Sequence, residues 1–499
     1  MIDLHNDALL KLPPRKLLPY LRQAKADGVD EIWLSVWTTE LPNPLATIKS
    51  KRQLLDQIYG NPDYPICRLH IEDAWFLTPD NLETLIALRP HSVGLTWNAA
   101  NNLGGGAHSR AGITRFGYQV IKRLESAGIQ IDTAHLNRRS FWEFARVTTR
   151  PMVCTHTAFN SMRRHPRNLT KRQIQAIIQS GGMVGICLVA DFLSSNTTSC
   201  GIHHLLKHIM YYKQNFGLSS LRLGTDFYGT EHLPYGINSY VDLEYIFQAR
   251  VLGYSVLHQP IVGYQIGNPT ASKRILVTGS MHAREWITGL LIKKFMHHHT
   301  DLPSDVLILY IPNCNPDGVR LVQEGLSPFF YRQSAFLRQV NHQANNFNLW
   351  KANARAVDLN VNFNASWGHG KQNLTIPAPA NYIGPRPHSE PENRTLLRAI
   401  KHFRPTVSLA FHSKGDVIYY SRIADRPVAK KLAELCQYQP KLSVNSYGGL
   451  TDYLALKLNI PAFTIEVGAD KLKHPIGGNH LDEIWARVNK LLAYFFNGA

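Results

Sequence analysis

The first half of the chain alternates eight times between short β-rich segments and helical patterns. The β-rich segments are residues 2–6, 31–37, 66–72, 92–97, 130–135, 152–157, 183–190 and 221–227. The segments between them, such as 116–127, 171–180 and 240–252, carry apolar residues three and four positions apart, which is typical of an amphipathic helix. Eight strand–helix repeats in about 250 residues predict an N-terminal (β/α)8 TIM barrel.

Polar side chains stand at or just beyond the carboxyl-terminal ends of five of these segments. They are His5, Asp7, Glu72, His135, His156 and Asp226. The strand ends of a barrel meet at one mouth, where the active site is built. Imidazoles and carboxylates together are suited to binding divalent metal ions, so the pattern predicts a two-metal site.

Residues 1–250 resemble the membrane (renal) dipeptidase family of the amidohydrolase superfamily. The resemblance is carried by Asp3-Leu4-His5-Asn6-Asp7, Ile71-Glu72, Asp132-Thr133-Ala134-His135, Thr155-His156-Thr157 and Gly224-Thr225-Asp226-Phe227. It implies two zinc ions with Glu72 as the bridging ligand. One ion would be held by His5 and Asp7, and the other by His135 and His156.

The same resemblance implies roles for residues that are not ligands. Asp226 would accept and relay the proton of the attacking water, and Arg167 would pair with the substrate carboxylate. Trp97 stands where the mammalian enzymes have an oxyanion-stabilising histidine, so turnover or substrate preference is expected to differ. Deaminases and phosphotriesterases of the superfamily are disfavoured because they usually begin with HxH, whereas this chain has HxD at His5 and Asp7.

The second half predicts an open α/β/α sheet. Apolar segments 274–278, 306–311, 407–411 and 462–467 read as strands, with helices such as 286–296 and 394–402 between them. Ligand-binding groups belong at the carboxyl ends of such strands. His282 and Glu285, three residues apart on a loop, would bind one zinc ion together with His412. The ion would keep a water position open, and Glu466 would supply the base.

This half resembles the zinc carboxypeptidase family, with informative departures. The motifs are His282-Ala283-Arg284-Glu285, Asn315-Pro316-Asp317-Gly318, Asp358-Leu359-Asn360-Val361-Asn362-Phe363, Phe411-His412-Ser413 and Thr464-Ile465-Glu466-Val467-Gly468. Val361 replaces the arginine that binds a terminal carboxylate, and Lys351 stands roughly where an oxyanion-stabilising arginine is expected. The pattern looks like the bacterial branch that cuts γ-D-glutamyl-diaminopimelate bonds, with Arg355 and Asn360 as candidate substrate-binding residues.

Composition limits the partners. The formal net charge of +18 favours anionic ones, and peptidoglycan fragments fit the resemblance. Nucleic acid is not predicted, because no recognition helix, RNA-binding aromatic signature or Lys/Arg block accompanies the charge. Six cysteines without a CxxC motif fit a reducing compartment. With no signal peptide or membrane-spanning run, we expect a cytoplasmic protein.

The sequence therefore predicts a bifunctional metallopeptidase made of domains 1–250 and 251–499. The second domain would cut the γ-glutamyl bond, and the first would split dipeptides such as L-Ala-D-Glu. Two alternatives stay open: a single-activity peptidase with the barrel as scaffold, and a basic protein that binds anionic polymers. Two smaller expectations are a mobile loop at Gly104–Gly106 and a solvated helix face carrying His204 and His208.

Overall fold

A closed barrel of eight parallel strands forms the first of two units, Met1–Glu244. A computed structural model describes residues 1–197, 200–299, 301–444 and 447–496. The barrel strands are β1 (Ile2–Asn6), β2 (Glu31–Trp37), β3 (Ile66–Glu72), β4 (Ser92–Gly94), β5 (Gln130–Asp132), β6 (Val153–Thr157), β7 (Met183–Ile186) and β8 (Leu221–Leu223). Strand β1 pairs with both β2 and β8, which closes the barrel. The predicted barrel is confirmed.

Helices follow the barrel strands, and several of them begin at a capping side chain. They are α1 (Ala8–Lys11), α2 (Pro14–Ala26), α3 (Pro44–Asp56), α4 (Leu82–Ala87), α5 (Arg115–Ser126), α6 (Arg138–Val147), α7 (Lys171–Gln179), α8 (Ala190–Leu193) and α9 (Ile202–Phe216). The side chains of Thr114, Asn137 and Thr170 accept hydrogen bonds from the first turns of α5, α6 and α7. These bonds satisfy amides that have no partner within the helix.

Four barrel strands end earlier than the sequence predicts. Strands β4, β5, β7 and β8 stop three or four residues short of the predicted ends at 97, 135, 190 and 227. Past the ends of β5 and β8, His135 and Asp226 adopt positive φ angles of 66° and 59°. A strand requires negative φ, so the backbone leaves the sheet where these two side chains are presented.

The helix predicted over 240–252 is wrong. Tyr240–Asp242 forms one short 3-10 turn, and Ala249–Tyr254 forms strand β9 of the second unit. Tyr240, Leu243 and Ile246 are buried at helix-like spacing, which explains the misleading pattern. The Tyr240 hydroxyl donates to Asp3 Oδ2 at 2.5 Å, so this aromatic residue is fixed by the barrel rather than by a helix.

The second unit, Tyr245–Ala499, is built on an open eight-stranded sheet. Its remaining strands are β10 (Pro260–Gly267), β11 (Lys273–Thr278), β12 (Val306–Ile311), β13 (Val407–His412), β14 (Val417–Tyr420), β15 (Gln439–Leu442) and β16 (Ala462–Glu466). The spatial order is β15-β14-β16-β13-β11-β12-β10-β9. The central strands β16, β13, β11 and β12 are parallel, so their carboxyl ends lie at one edge. The predicted open α/β sheet is confirmed.

Helices alternate with these strands. They are α10 (Ile287–His298), α11 (Pro316–Glu324), α12 (Ser334–Val340), α13 (Pro391–Phe403), α14 (Arg426–Cys436), α15 (Leu450–Asp452), α16 (Leu481–Val488) and α17 (Leu491–Tyr494). Asn315 caps α11 through Gly318 N, and its Nδ2 donates to Met281 O and Ala352 O at 3.3 and 3.0 Å. The Asn-Pro-Asp-Gly motif therefore holds the loop before His282. Within the described ranges, no helix combines the length and apolarity needed to cross a bilayer.

Candidate metal centres

The structure brings six predicted residues together at the barrel mouth. We call this set the barrel cluster: His5, Asp7, Glu72, His135, His156 and Asp226. Glu72 lies between two groups of ligands. Its Oε1 is 2.8 Å from His135 Nε2 and 3.7 Å from His156 Nε2, while its Oε2 is 3.8 Å from His5 Nε2. A carboxylate with its two oxygens directed toward different histidines is arranged to bridge two cations.

The surroundings of His5 fit a metal ion. Both ring nitrogens of this fully buried side chain have no hydrogen-bond partner among the described residues. His5 Nε2 lies 3.4 Å from Asp7 Oδ2 and 3.7 Å from Asp226 Oδ1. Buried polar groups are rarely left unpaired, and an imidazole among carboxylates is a donor set for a divalent cation.

His135 and His156 are held by their other ring nitrogens. His135 Nδ1 is 3.0 Å from Asn98 Oδ1, and His156 Nδ1 is 2.9 Å from Thr155 Oγ1. Both Nε2 atoms therefore face Glu72, and they lie 2.9 Å from each other. Fixing one imidazole nitrogen in this way is how proteins orient a histidine ligand.

Two aspartate–threonine pairs fix the strand ends beneath the barrel cluster. The carboxylate of Asp3 in β1 accepts from the backbone N and Oγ1 of Thr225, at 2.8 and 2.7 Å. Asp132 in β5 accepts from the same two atoms of Thr155, at 2.9 and 2.7 Å. Because Thr225 and Thr155 directly precede Asp226 and His156, each pair sets the position of a cluster residue.

The barrel cluster contains both neutral and charged groups. Burial and the nearby Arg167 hold the pKa of His135 well below its ordinary value, which favours the neutral imidazole that binds metals. Burial opposes the charged form of His5, but Glu72 and Asp7 raise its pKa to about 10. Burial also raises the pKa of Glu72, to about 7. Without a cation, these pKa shifts therefore favour a protonated His5 among the carboxylates of the cluster.

Arg167, the predicted partner of the substrate carboxylate, contacts the barrel cluster at His156. Its Nη2 donates to His156 Nε2 at 2.7 Å and to the His156 carbonyl oxygen at 3.3 Å. The guanidinium also lies over the ring of Phe192, 5.4 Å from its centroid. The lone pair of His156 Nε2 can serve Arg167 or a metal ion, but not both at once.

A cavity of about 360 Å³ opens above the barrel cluster. Its lining includes Trp97, at the position where the resemblance implies an oxyanion-stabilising histidine, and Lys11, His108 and His165, which sequence reasoning did not assign. His108 follows the Gly104–Gly106 segment, which is not a mobile lid over the mouth. Gly105 and Gly106 are buried and form bridges to Ala100 and Leu136, and a Cβ at Gly106 would lie 1.9 Å from Trp97 O.

The predicted solvated face of α9 is also wrong at His208. This side chain is buried, and its Nδ1 accepts from the backbone N of Phe159 at 3.1 Å. Burial lowers its pKa to about 4, so His208 is a neutral core residue. Helical spacing alone could not distinguish it from His204, which is half-buried on the same helix.

The second unit brings His282, Glu285 and His412 together, and we call these three residues the sheet cluster. Glu285 Oε1 is 2.9 Å from His282 Nδ1, and its Oε2 is 3.1 Å from His412 Nδ1. The two Nδ1 atoms lie 3.1 Å apart. All three side chains are buried, and the nitrogen and oxygen donors converge as a His2Glu zinc site requires.

Glu466 lies beside the sheet cluster on the neighbouring strand. It is the register partner of His412 where β13 and β16 pair. Burial and the carboxylate of Glu285 raise the pKa of Glu466 to about 7. His412 and Lys351 oppose that rise. A carboxylate titrating near neutrality is suited to accepting a proton in a general-base step.

Asp358 is a site residue that sequence reasoning did not assign. This buried side chain lies 3.3 Å from His282 Nε2 through Oδ1, and 3.4 Å from Lys351 Nζ through Oδ2. It therefore orients His282 and connects Lys351 to the sheet cluster. The signal was its place at the head of Asp358-Leu359-Asn360-Val361-Asn362-Phe363, a motif noted only for its later residues.

Arg355 and Asn360, the two candidate substrate residues, have other neighbours. Arg355 is exposed, and its Nη1 lies 3.8 Å from Glu390 Oε2. It lines a separate cavity of about 380 Å³. Asn360 Oδ1 accepts from the backbone N of Leu450 at 3.1 Å. These contacts leave a substrate role for either residue as a prediction.

Family comparisons agree with the two kinds of site. The sequence model of the membrane dipeptidase family matches residues 67–252, and that of the zinc carboxypeptidases matches residues 245–486. The chain is a fusion of these two metallopeptidase families. Both families are zinc-dependent. His5 and Asp7 precede the range matched to the membrane dipeptidases, so their inclusion rests on the barrel geometry.

Several proteins are similar to parts of this fusion. Gamma-D-glutamyl-L-diamino acid endopeptidase 1 of Lysinibacillus sphaericus is 33% identical over 250 residues, 46% of this chain and 62% of that protein. The uncharacterised YqgT of Bacillus subtilis is 30% identical over 286 residues, 52% of this chain and 75% of that protein. A Rhodobacter sphaeroides metallo peptidase, liganded with a phosphinate mimic of L-Ala-D-Ala, is 21% identical. It covers 48% of this chain and 89% of its own, with a TM-score of 0.44.

Proposed function

We propose that this fusion is a bifunctional zinc peptidase that degrades peptidoglycan peptides in two successive steps. The carboxypeptidase domain hydrolyses the amide between the γ-carboxyl of D-glutamate and diaminopimelate. The membrane dipeptidase domain then splits the released L-Ala-D-Glu. The observation that carries the proposal is the presence of two separate ligand clusters, each with its own carboxylate base and its own cationic side chain.

The ligand sets suit three zinc ions. His5 and Asp7 would hold one, His135 and His156 a second, and Glu72 would bridge these two. The sheet cluster of His282, Glu285 and His412 would hold the third. Zinc bound at these ligands would polarise the scissile carbonyl and acidify a water molecule.

In the carboxypeptidase domain, Glu466 takes the proton of the attacking water and passes it to the leaving amine. Its raised pKa, about 7, makes the carboxylate basic enough to accept the proton and acidic enough to return it. Lys351 keeps a positive charge beside the reacting carbonyl, and Asp358 holds this lysine and His282 in place. Lysine does so without the bidentate geometry of arginine.

In the membrane dipeptidase domain, Asp226 accepts and relays the proton. Burial, with Asp7 and Glu72 nearby, raises its pKa well above the ordinary value. Arg167 binds the substrate carboxylate, the pairing that a guanidinium makes best. His156 Nε2 is also a proposed metal ligand, so Arg167 has to release that nitrogen when the metal binds. The release frees Nη2 of Arg167 for the substrate.

The substrate assignment is supported by two observations. The Lysinibacillus sphaericus relative is named as an endopeptidase for γ-D-glutamyl-L-diamino acid bonds, and its similarity extends over 250 residues. The net charge of +18 also favours peptides that carry several carboxylates. Both observations support peptidoglycan peptides as the substrate class, and the two cleavage positions are part of the proposal.

Mass spectrometry of the products from L-Ala-γ-D-Glu-meso-diaminopimelate, incubated with the zinc-loaded full chain, tests the proposal. We expect free diaminopimelate first and free alanine and glutamate afterwards, with L-Ala-D-Glu as a transient intermediate. Accumulated L-Ala-D-Glu that is never split would make the barrel a scaffold. An untouched tripeptide would refute the γ-glutamyl activity, and L-Ala-D-Glu offered alone would then test the barrel separately.

A further inference from the structure

A second cavity of about 660 Å³ lies beside the barrel mouth and is lined by four arginines. They are Arg110, Arg138, Arg139 and Arg164. All four side chains are exposed at the cavity surface, so their guanidinium groups are available to a ligand. The lining comes from three separate segments of the chain: the loop after β4, the start of α6 and the loop after β6.

The positive charge of this arginine cavity is largely uncompensated. Arg139 pairs with Glu143 at 2.9 Å, and Glu143 also accepts from the backbone N of Ile113. Among the described residues, Arg110, Arg138 and Arg164 form no salt bridge. Arg138 and Arg139 also occupy the first turn of α6, where no acidic residue offsets the positive end of the helix dipole. Several positive charges that line one cavity favour binding of an anion.

The arginine cavity adjoins the barrel cavity through His165, which lines both. His165 and Arg164 belong to the loop that also carries Arg167. A peptide whose terminal carboxylate is held by Arg167 therefore has one cavity arginine, Arg164, on the same loop. Because the two cavities share His165, a small substrate held in the first cavity can place a second carboxylate toward the second.

We propose that the arginine cavity is a specificity subsite for a carboxylate borne by the C-terminal residue of the dipeptide. The membrane dipeptidase domain would then prefer acidic dipeptides, such as L-Ala-D-Glu, to neutral ones of equal size. Arg110, Arg138 and Arg164 are the residues that select this substrate, because they have no competing carboxylate. This inference rests on the proposed dipeptidase activity and names the chemical class that the activity takes.

The test compares kcat/KM for L-Ala-D-Glu with that for the nearly isosteric, neutral L-Ala-D-Gln. Arg110→Gln, Arg138→Gln, Arg164→Gln and the triple variant are measured in the zinc-loaded full chain. We expect the acidic-to-neutral ratio to fall about tenfold in the triple variant, the size of one charge-assisted hydrogen bond. Arg146→Gln, an exposed arginine on the same helix outside the cavity, is the matched control and should leave the ratio unchanged. An unchanged ratio in the triple variant would overturn the inference.

A titration with glutarate separates this inference from the proposed function. Isothermal titration calorimetry of the full chain should show glutarate binding that the triple variant weakens about tenfold and Arg146→Gln does not. If neither dipeptide is cleaved but glutarate binding depends on the three arginines, the dipeptidase activity fails and the anion site stands. If wild type binds no glutarate, or the triple variant binds it equally well, the arginine cavity is not an anion site.

Discussion

The barrel cluster and the sheet cluster use the same residue types but are held in place differently. In the barrel, the supporting residues lie in the strands themselves: Asp3 and Asp132 bind the threonines that precede Asp226 and His156. In the second unit, support for His282 comes from a loop residue, Asp358, that is in turn paired with Lys351. One site is anchored from beneath by the sheet, and the other from the side by a loop.

This difference bears on charge as well as on position. The barrel cluster gathers Asp7, Glu72 and Asp226 around His5, and the excess of carboxylates raises the pKa of that histidine to about 10. The sheet cluster has one ligand carboxylate, and His282, along with hydrogen bonds from His282 and His412, keeps the pKa of Glu285 well below its usual range despite burial. A site rich in carboxylates suits two cations with a bridging group, and a site with one suits a single cation.

The largest effect is expected for His135→Ala. Removing this proposed ligand takes away one nitrogen beside Glu72 Oε1 and should cost about a thousandfold or more in dipeptide hydrolysis, since metal polarisation contributes several kcal/mol. The γ-glutamyl cleavage by the same molecules is the internal control and should stay within about twofold, because the sites act separately. Loss of both activities in a folded protein would show that the two clusters are not independent.

Glu466→Gln reverses the comparison. It should lower γ-glutamyl cleavage by at least about a hundredfold, the usual contribution of a general base, while dipeptide hydrolysis persists. Because Glu466 is proposed as a base and not a ligand, the zinc content measured by inductively coupled plasma mass spectrometry should match that of the wild type. His412→Ala is the paired variant and should lose about one zinc ion per chain together with the activity. Zinc loss in Glu466→Gln would make this residue a ligand.

Asp358→Asn should weaken zinc binding in the second unit by about ten- to a hundredfold, as loss of an orienting carboxylate does. The substitution keeps the shape of a buried side chain but removes the negative charge that faces His282 Nε2 and Lys351 Nζ. Competition with a chelator gives the affinity. Zinc binding in the barrel should be unaffected. An unchanged affinity in the second unit would mean that Asp358 does not influence zinc binding there.

Thr155→Val and Thr225→Val compare the two anchors within the barrel. Each removes one hydroxyl hydrogen bond to a buried aspartate and should cost about 1 kcal/mol of stability. Thr155 also contacts His156 Nδ1, whereas the side chain of Thr225 contacts no histidine ring among the residues that the structure describes. We therefore expect the zinc affinity to fall further in Thr155→Val. Equal affinities would show that the imidazole is oriented by its other contacts.

The sequence predicted those features that depend on local pattern. Strands β1, β2 and β3 have the predicted bounds, and the candidate metal-binding residues of β1 and β3 were found from their positions at the strand ends. What it missed depends on pairs that are far apart in the chain. Asp3 and Thr225 are separated by 222 positions, and only closure of the barrel brings them together. Asp358 was missed for the same reason, because its partner His282 lies on another element.

Errors in the prediction also have physical causes. Tyr240, Leu243 and Ile246 are buried at helical spacing without forming a helix, since burial of an irregular segment gives the same pattern. The glycines at 104–106 suggested mobility, but Gly105 and Gly106 are there because the backbone passes too close to Trp97 and Ala111 for a side chain. Neither packing arrangement leaves a signal in a single sequence.

Lys351→Gln should give the smallest effect, a shift in pH dependence. The positive charge of Lys351 lowers the pKa of Glu466, which burial and Glu285 raise to about 7. Removing the charge raises that pKa further, so a higher pH is needed to deprotonate the base. The acid limb of kcat/KM for γ-glutamyl cleavage should therefore move to higher pH. A bound zinc ion would lower the pKa of Glu466 in both proteins, so the difference between the two profiles is the quantity to measure.

The height and the position of that profile report separate roles of Lys351. A lower plateau with an unmoved limb would mean that Lys351 acts on the carbonyl oxygen and that its charge does not influence Glu466. A shifted acid limb with an unchanged plateau would mean that the charge of Lys351 influences Glu466 and that Lys351 does not act on the carbonyl oxygen. Lys351→Arg keeps the charge and should leave the limb in place, so it controls for the loss of side-chain packing. Dipeptide hydrolysis by the barrel should keep its wild-type profile in both variants, because its proposed base, Asp226, belongs to the other unit.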